Sequence, residues 1–195
     1  MKPLSQLTNN PYSFEAVLRN AGIAPQNSFL TAEVTDASGT VLFNDISNSL
    51  LLDVNYPQDT FAVNNTFTPN GTGNYTVNMW GTGDSTSTPM VSLDMTVTDN
   101  IYARDLNVPD GAWRVGRSCG GQVLGLKYDM YADETLYGLQ VHIDDQSIPN
   151  TPVYVVLYED NPSGDPVYLT QSDDYYITSS DFCLLYTSPS PRDRG

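Results

Sequence analysis

The sequence holds one histidine, His142, so a Ser-His-Asp or Cys-His arrangement has one possible base. Leu139, Val141 and Ile143 alternate with Gln140, His142 and Asp144, which predicts a half-buried strand with the imidazole on its polar face. A surface position, not a catalytic one, is expected. Cys119 lies near Arg114 and Arg117, and cations favour a thiolate, yet no positioned base accompanies it. The surrounding Gly116-Arg117-Ser118-Cys119-Gly120-Gly121 lacks the Gly-Lys-Ser/Thr ending of a phosphate cradle and reads as a glycine-rich connection. There is no Gly-x-Ser-x-Gly elbow and no His-Glu-x-x-His pair.

Two chemistries of binding remain. Asp144-Asp145, and Glu159-Asp160-Asn161 with Asp165, are the calcium candidates, because carboxylates gathered at turns are what that cation needs. Neither follows the Asp-x-Asp-x-Asp-Gly spacing of an EF-hand, and Asp and Asn also form turns by bonding their own backbone. No cofactor is therefore expected, with calcium at Asp144, Asp145, Asp160 and Asp165 as the alternative. Aromatic rings that stack on sugar faces are the second chemistry. If Tyr75, Val77 and Met79 face a core, alternation sends Trp80 outward, an unusual place for so large an apolar group. Trp113 falls near a domain junction, and together Trp80 and Trp113 are the candidate ligand-binding residues. The competing expectation is that each ring covers a sheet edge or packs at the junction. The sequons at Asn64, Asn70 and Asn74 would suit surface glycosylation in a secreted eukaryotic protein; in a bacterial one they would be chance products of a Thr- and Asn-rich composition.

The elements that must position these residues are strands. Phe14, Ala16 and Leu18 alternate with polar neighbours; Leu30, Ala32 and Val34 do so again, and Asp36-Ala37-Ser38-Gly39 turns the chain into Thr40-Val41-Leu42-Phe43 as a hairpin. Leu50–Val54 and Thr60–Val63 are short apolar runs, and two strict alternations follow, over 74–79 and 91–98. About seven short strands in some ninety residues is the pattern of an immunoglobulin-like sandwich. Beyond a boundary at 100–112, Leu124–Met130, Leu139–Ile143, Val153–Leu157, Val167–Leu169 and Tyr175–Thr178 read as further strands, with Val153–Leu157 as a central one. The expected fold is all-β, two consecutive β-sandwich domains: residues 1–10 a linker start, 11–99 immunoglobulin-like, 100–112 a junction, and 113–182 jelly-roll-like, incomplete if a strand is missing. A chain of 195 residues suits two domains of this size.

The balance of 8 Lys+Arg against 23 Asp+Glu gives −15, which opposes binding to a phosphate backbone and to anionic membranes. No nucleic acid is expected as partner. No apolar run reaches the ~18 residues of a membrane span, so no membrane insertion is expected.

Phe14-Glu15-Ala16-Val17-Leu18-Arg19-Asn20-Ala21-Gly22, Thr35–Val41, and Phe67-Thr68-Pro69 with Gly73–Val77 resemble bacterial extracellular immunoglobulin-like repeats of the cell-adhesion-related type. Val97-Thr98-Asp99-Asn100-Ile101-Tyr102-Ala103-Arg104-Asp105 is similar to the junctions of large secreted proteins of Bacteroidetes-type bacteria, where a second sandwich follows. The likeness spans most of 11–182, and its motifs specify a fold better than an activity. It implies a non-catalytic structural or adhesion module of a secreted or cell-surface multidomain protein. Its partners would be other domains of the same polypeptide and a surface glycan or protein, and a leader would lie upstream of Met1. The alternative is an accessory carbohydrate-binding module of a larger exported hydrolase. Finally, Cys183-Leu184-Leu185-Tyr186-Thr187-Ser188-Pro189-Ser190-Pro191-Arg192-Asp193 resembles a translated transposase-type sequencing adapter, so 183–195 is expected to be a non-native tail. Setting it aside leaves Cys119 as the one cysteine and removes any internal disulfide.

Overall fold

A computed structural model describes residues 1–55, 58–104 and 124–182, and the backbone of 185–189. It is all-β and sandwich-type. The alternating runs fold as strands because one face of each can bury its apolar residues while the other stays wet. In order these are β1 (Lys2–Pro3), a single helical turn α1 (Leu4–Leu7), β2 (Glu15–Arg19), β3 (Gln26–Asp36), β4 (Val41–Ile46), β5 (Leu50–Leu52), β6 (Gln58–Ala62), β7 (Gly73–Thr82) and β8 (Val91–Thr98). The seven strands read from alternation before Asp99 are all present.

The larger sheet runs β1-β8-β7-β3-β4, and β5 also pairs with β3. Within it β8-β7-β3-β4 is an all-antiparallel run of four neighbouring strands. The antiparallel pair β2–β6 forms the facing layer. Phe14, Leu18, Phe61 and Val63 from one side meet Leu30, Ala32, Val34, Tyr75, Val77 and Val97 from the other. Phe61 is 1 % exposed, and burial of such a ring contributes about 1.5–3 kcal/mol. Phe14, Phe43, Phe67 and Tyr75 stack in a continuous row with ring centroids 5.7–6.0 Å apart. The Tyr75 hydroxyl donates 2.7 Å to the carbonyl of Gly71, in the turn just before β7, which ties that turn to the strand. The β3–β4 hairpin is pinned by Asp36, whose Oδ1 accepts from the Ser38 hydroxyl and from the amides of Ser38 and Thr40, with Gly39 at φ +83°.

Residues 1–10, read from sequence as a linker start, are part of this unit. Lys2–Pro3 pairs in parallel with Val97–Thr98, and Leu7 is buried in the core. The parallel bond needs only two residues of extended backbone and leaves no periodic trace. Two compact units are present, and the first also takes in Lys127–Ala132. That segment was expected to belong to a half-buried strand over Leu124–Met130. Instead 124–130 is irregular, with Leu124, Leu126 and Met130 exposed; the Asp129 carbonyl accepts from Tyr102, and the main chain of 131–132 just beyond bonds to Gln6 and Asn9.

In the second unit β9 (Gly138–His142), β10 (Pro152–Val153), β11 (Val156–Glu159), β12 (Val167–Gln171) and β13 (Tyr175–Tyr176) lie close to their expected places. β11 pairs with β12 and β10 with β13, all antiparallel. The run Val153–Leu157, expected as one central strand, is divided between these two ladders. At the break Ser172 Oγ accepts from the Val155 amide and the Ser172 amide donates to the Val155 carbonyl, which hands the chain from one partner to the next. Ile143 and Ile177 are buried here. The adapter-like stretch contributes β14 (Leu185–Pro189), antiparallel to β9. Backbone pairing of this kind does not depend on the origin of the residues that supply it.

Candidate functional site

The outer face of the larger sheet is built by register. Glycine at 81 continues the inward series Tyr75, Val77, Met79, and a Cβ there would stand 2.7 Å from Leu18 Cδ2, so the sheet closes tightly on β2 at this point. Trp80, between Met79 and Gly81, therefore points to the opposite face, as alternation predicts, and is half-buried there. Directly opposite on β3 stands Thr31, only 6 % exposed although it lies on the outer face, and beyond it on β4 is the exposed Ile46. The next row of the same face reads Asn44, Glu33, Asn78, Ser92 across β4, β3, β7 and β8. Asn44 Nδ2 donates 3.3 Å to Glu33 Oε2, and the Ser92 hydroxyl donates 2.7 Å to Asn78 Oδ1. Two rows further on, Thr96 donates 3.0 Å to Asn74 Oδ1. One indole beside a ladder of amides, a hydroxyl and a carboxylate can offer an apolar surface to a sugar's C–H face and acceptors to its hydroxyls.

The remaining candidates behave as turns or lie elsewhere. Trp113, Cys119, Arg114 and Arg117 lie outside the described residues. Asp144 Oδ1 accepts from the Gln146 amide and its carbonyl from the Ser147 amide; Asn161 Oδ1 accepts from the Ser163 amide and its Nδ2 donates to the Asp165 carbonyl. These are Asx turns, and among the described residues no three His, Cys, Asp or Glu side chains are grouped to hold a metal ion. Asp145, Asp160 and Asp165 are exposed beside them. His142 is half-buried on β9. Two sequon asparagines are engaged: Asn64 donates to the Ile46 carbonyl and Asn74 accepts from Thr96.

A second cluster has no counterpart in the sequence reading. Lys2 Nζ lies 5.1 Å from the Tyr131 ring centroid and 5.8 Å from that of Tyr12, Arg104 lies 5.7 Å from Tyr128, and the Tyr102 and Tyr128 rings are 4.9 Å apart. Burial, then the neighbouring Tyr102, pushes the Tyr12 hydroxyl up to about 12; burial also raises Tyr102 and lowers Lys2. These six residues are scattered through the sequence at no fixed spacing. Nothing short of the fold brings them together.

Among the described residues no helix is long and apolar enough to cross a membrane. Compared with protein-family models, curated proteins and solved structures, the chain matches none.

Proposed function

We propose that the chain is a non-catalytic structural or adhesion module of a secreted or cell-surface multidomain bacterial protein, with its β units in series and other domains of the same polypeptide as its first partners. The observation that carries this reading is how the acidic side chains are used. The carboxyls of Asp36 and Asp181 are displaced downward from their ordinary range by the hydrogen bonds they accept. Ser38 and Thr40 hold Asp36 in a hairpin turn, and Thr178 holds Asp181 in a capping box. A carboxyl tuned for general-acid work is displaced the other way, by burial. These two serve as turn pins that stay ionised at neutral pH.

The test is hydrolysis by the full chain of a broad panel of glycoside, ester and peptide substrates, beside His142→Ala. No turnover by either form is expected. Turnover by the wild type that is lost in His142→Ala would replace this reading with an enzymatic one.

The alternative, an accessory carbohydrate-binding module of an exported hydrolase, is favoured by the outward Trp80 beside the Glu33–Asn78 row. The two readings part on whether Trp80 has a ligand.

A further inference from the structure

Gln6 sits on the single turn α1 with its side chain fully buried, an unusual place for a carboxamide without a structural duty. Its Oε1 accepts from the amides of Tyr131, at 2.7 Å, and Ala132, at 3.2 Å, while its Nε2 donates to the Ala132 carbonyl at 3.1 Å. The carboxamide thus exchanges two hydrogen bonds with Ala132, as one residue does with another across an antiparallel ladder. Asn9 Nδ2 donates 2.8 Å to the Tyr131 carbonyl, and the Tyr102 hydroxyl donates 3.2 Å to the Asp129 carbonyl. All five bonds run from side chains of the sandwich to the main chain of 129–132. Of the side chains, half-buried Tyr128 lies against Tyr102 and Arg104, while Tyr131, 40 % exposed, has Lys2 over its ring.

We propose that Gln6, Asn9, Tyr102, Lys2 and Arg104 form a peptide-docking site that reads an extended Tyr-x-x-Tyr segment through its backbone, and that its occupant is the chain's own Tyr128-Asp129-Met130-Tyr131. Side-chain amides replace a partner strand, so the segment binds without β-sheet and without an apolar alternation of its own. The intervening side chains, Asp129 and Met130, are exposed, and only the backbone of Asp129 is held. The segment completes the first sandwich, whose buried Gln6 would otherwise lose the three hydrogen bonds it makes with Tyr131 and Ala132.

Site-resolved hydrogen exchange on the full-length chain tests this. In the wild type the Tyr131 and Ala132 amides are expected to be protected. In Gln6→Ala their exchange accelerates about tenfold or more, equivalent to about 1.4 kcal/mol of lost hydrogen bonding, while the β3–β7 ladder amides keep their rates. Asp129→Ala/Met130→Ala leaves the protection within about twofold of wild type. If Gln6→Ala exposes the β3–β7 amides as well, Asn9→Ala/Tyr102→Phe, which removes two of the backbone contacts at the surface, is expected to speed exchange at Tyr131 and Ala132 alone. Unprotected Tyr131 and Ala132 amides in the wild type overturn the proposal. Equal rates in wild type, Gln6→Ala and Asn9→Ala/Tyr102→Phe, or loss of protection in Asp129→Ala/Met130→Ala, would also overturn it.

Discussion

Asp36 shows how one carboxylate in this acidic chain is used. Its pKa is held below the ordinary 3.8 first by the Ser38 hydroxyl and then by the Thr40 amide. A group with a depressed folded pKa contributes stability that is complete above its unfolded pKa and is lost as the pH falls through the lower folded value. The melting temperature of wild type minus that of Asp36→Asn is therefore expected to be positive at pH 6 and to shrink on acidification below about pH 4; a difference that does not change with pH would remove the assigned role. Gly81 makes a second residue-level claim. A methyl group there collides with Leu18, and Gly81→Ala is expected to cost about 1–3 kcal/mol in denaturant unfolding. Leu18→Val, which removes both δ carbons that make the clash, should make the pair of substitutions cost less than their sum; strict additivity would show that the contact is not the cause. The turn at Asp36–Gly39 is legible from residue types alone, since Asp, Ser and Gly each have a local reason to be there. The closeness of Gly81 to Leu18 is not, because the two are joined only through the meeting of two sheets.

At the scale of elements, periodicity succeeded where a strand has one wet face and failed where the backbone finds another partner. β3, β7 and β8 alternate cleanly, and their register places Trp80 outward as the sequence implies. β1 is two residues long, and α1 carries Gln6 and Leu7 inward without a repeat to announce it. Leu124–Met130 alternates well and is no strand: Leu124, Leu126 and Met130 are exposed, so the alternation has no face to bury. Leu7 tests the reassignment of residues 1–10 from linker to structure. It is fully buried, and Leu7→Ala is expected to destabilise the first unit by about 2–5 kcal/mol by urea titration. A change below about 0.5 kcal/mol would restore the linker reading.

Over the whole molecule the charge of −15 sets the range of partners more firmly than any one residue does. It opposes binding to nucleic acids and anionic surfaces. The all-β class was legible throughout the chain, because turn residues and alternation recur to its end. The candidate site was legible only in Trp80: its companions Glu33, Asn44, Asn78 and Ser92 come from four strands and are assembled by register. The same limit applies to the tyrosine and cation cluster, whose members are up to about 130 positions apart in sequence.

The most direct test of the structural and adhesive reading is retention of the full chain and of Trp80→Ala on a panel of insoluble neutral polysaccharides, with thermal melts of both. Equal retention of the two forms, no greater than that of an unrelated acidic protein, is the expected result. Firm retention of the wild type that Trp80→Ala abolishes, with its melting temperature unchanged, would contradict it and make the outer sheet face a carbohydrate-binding site.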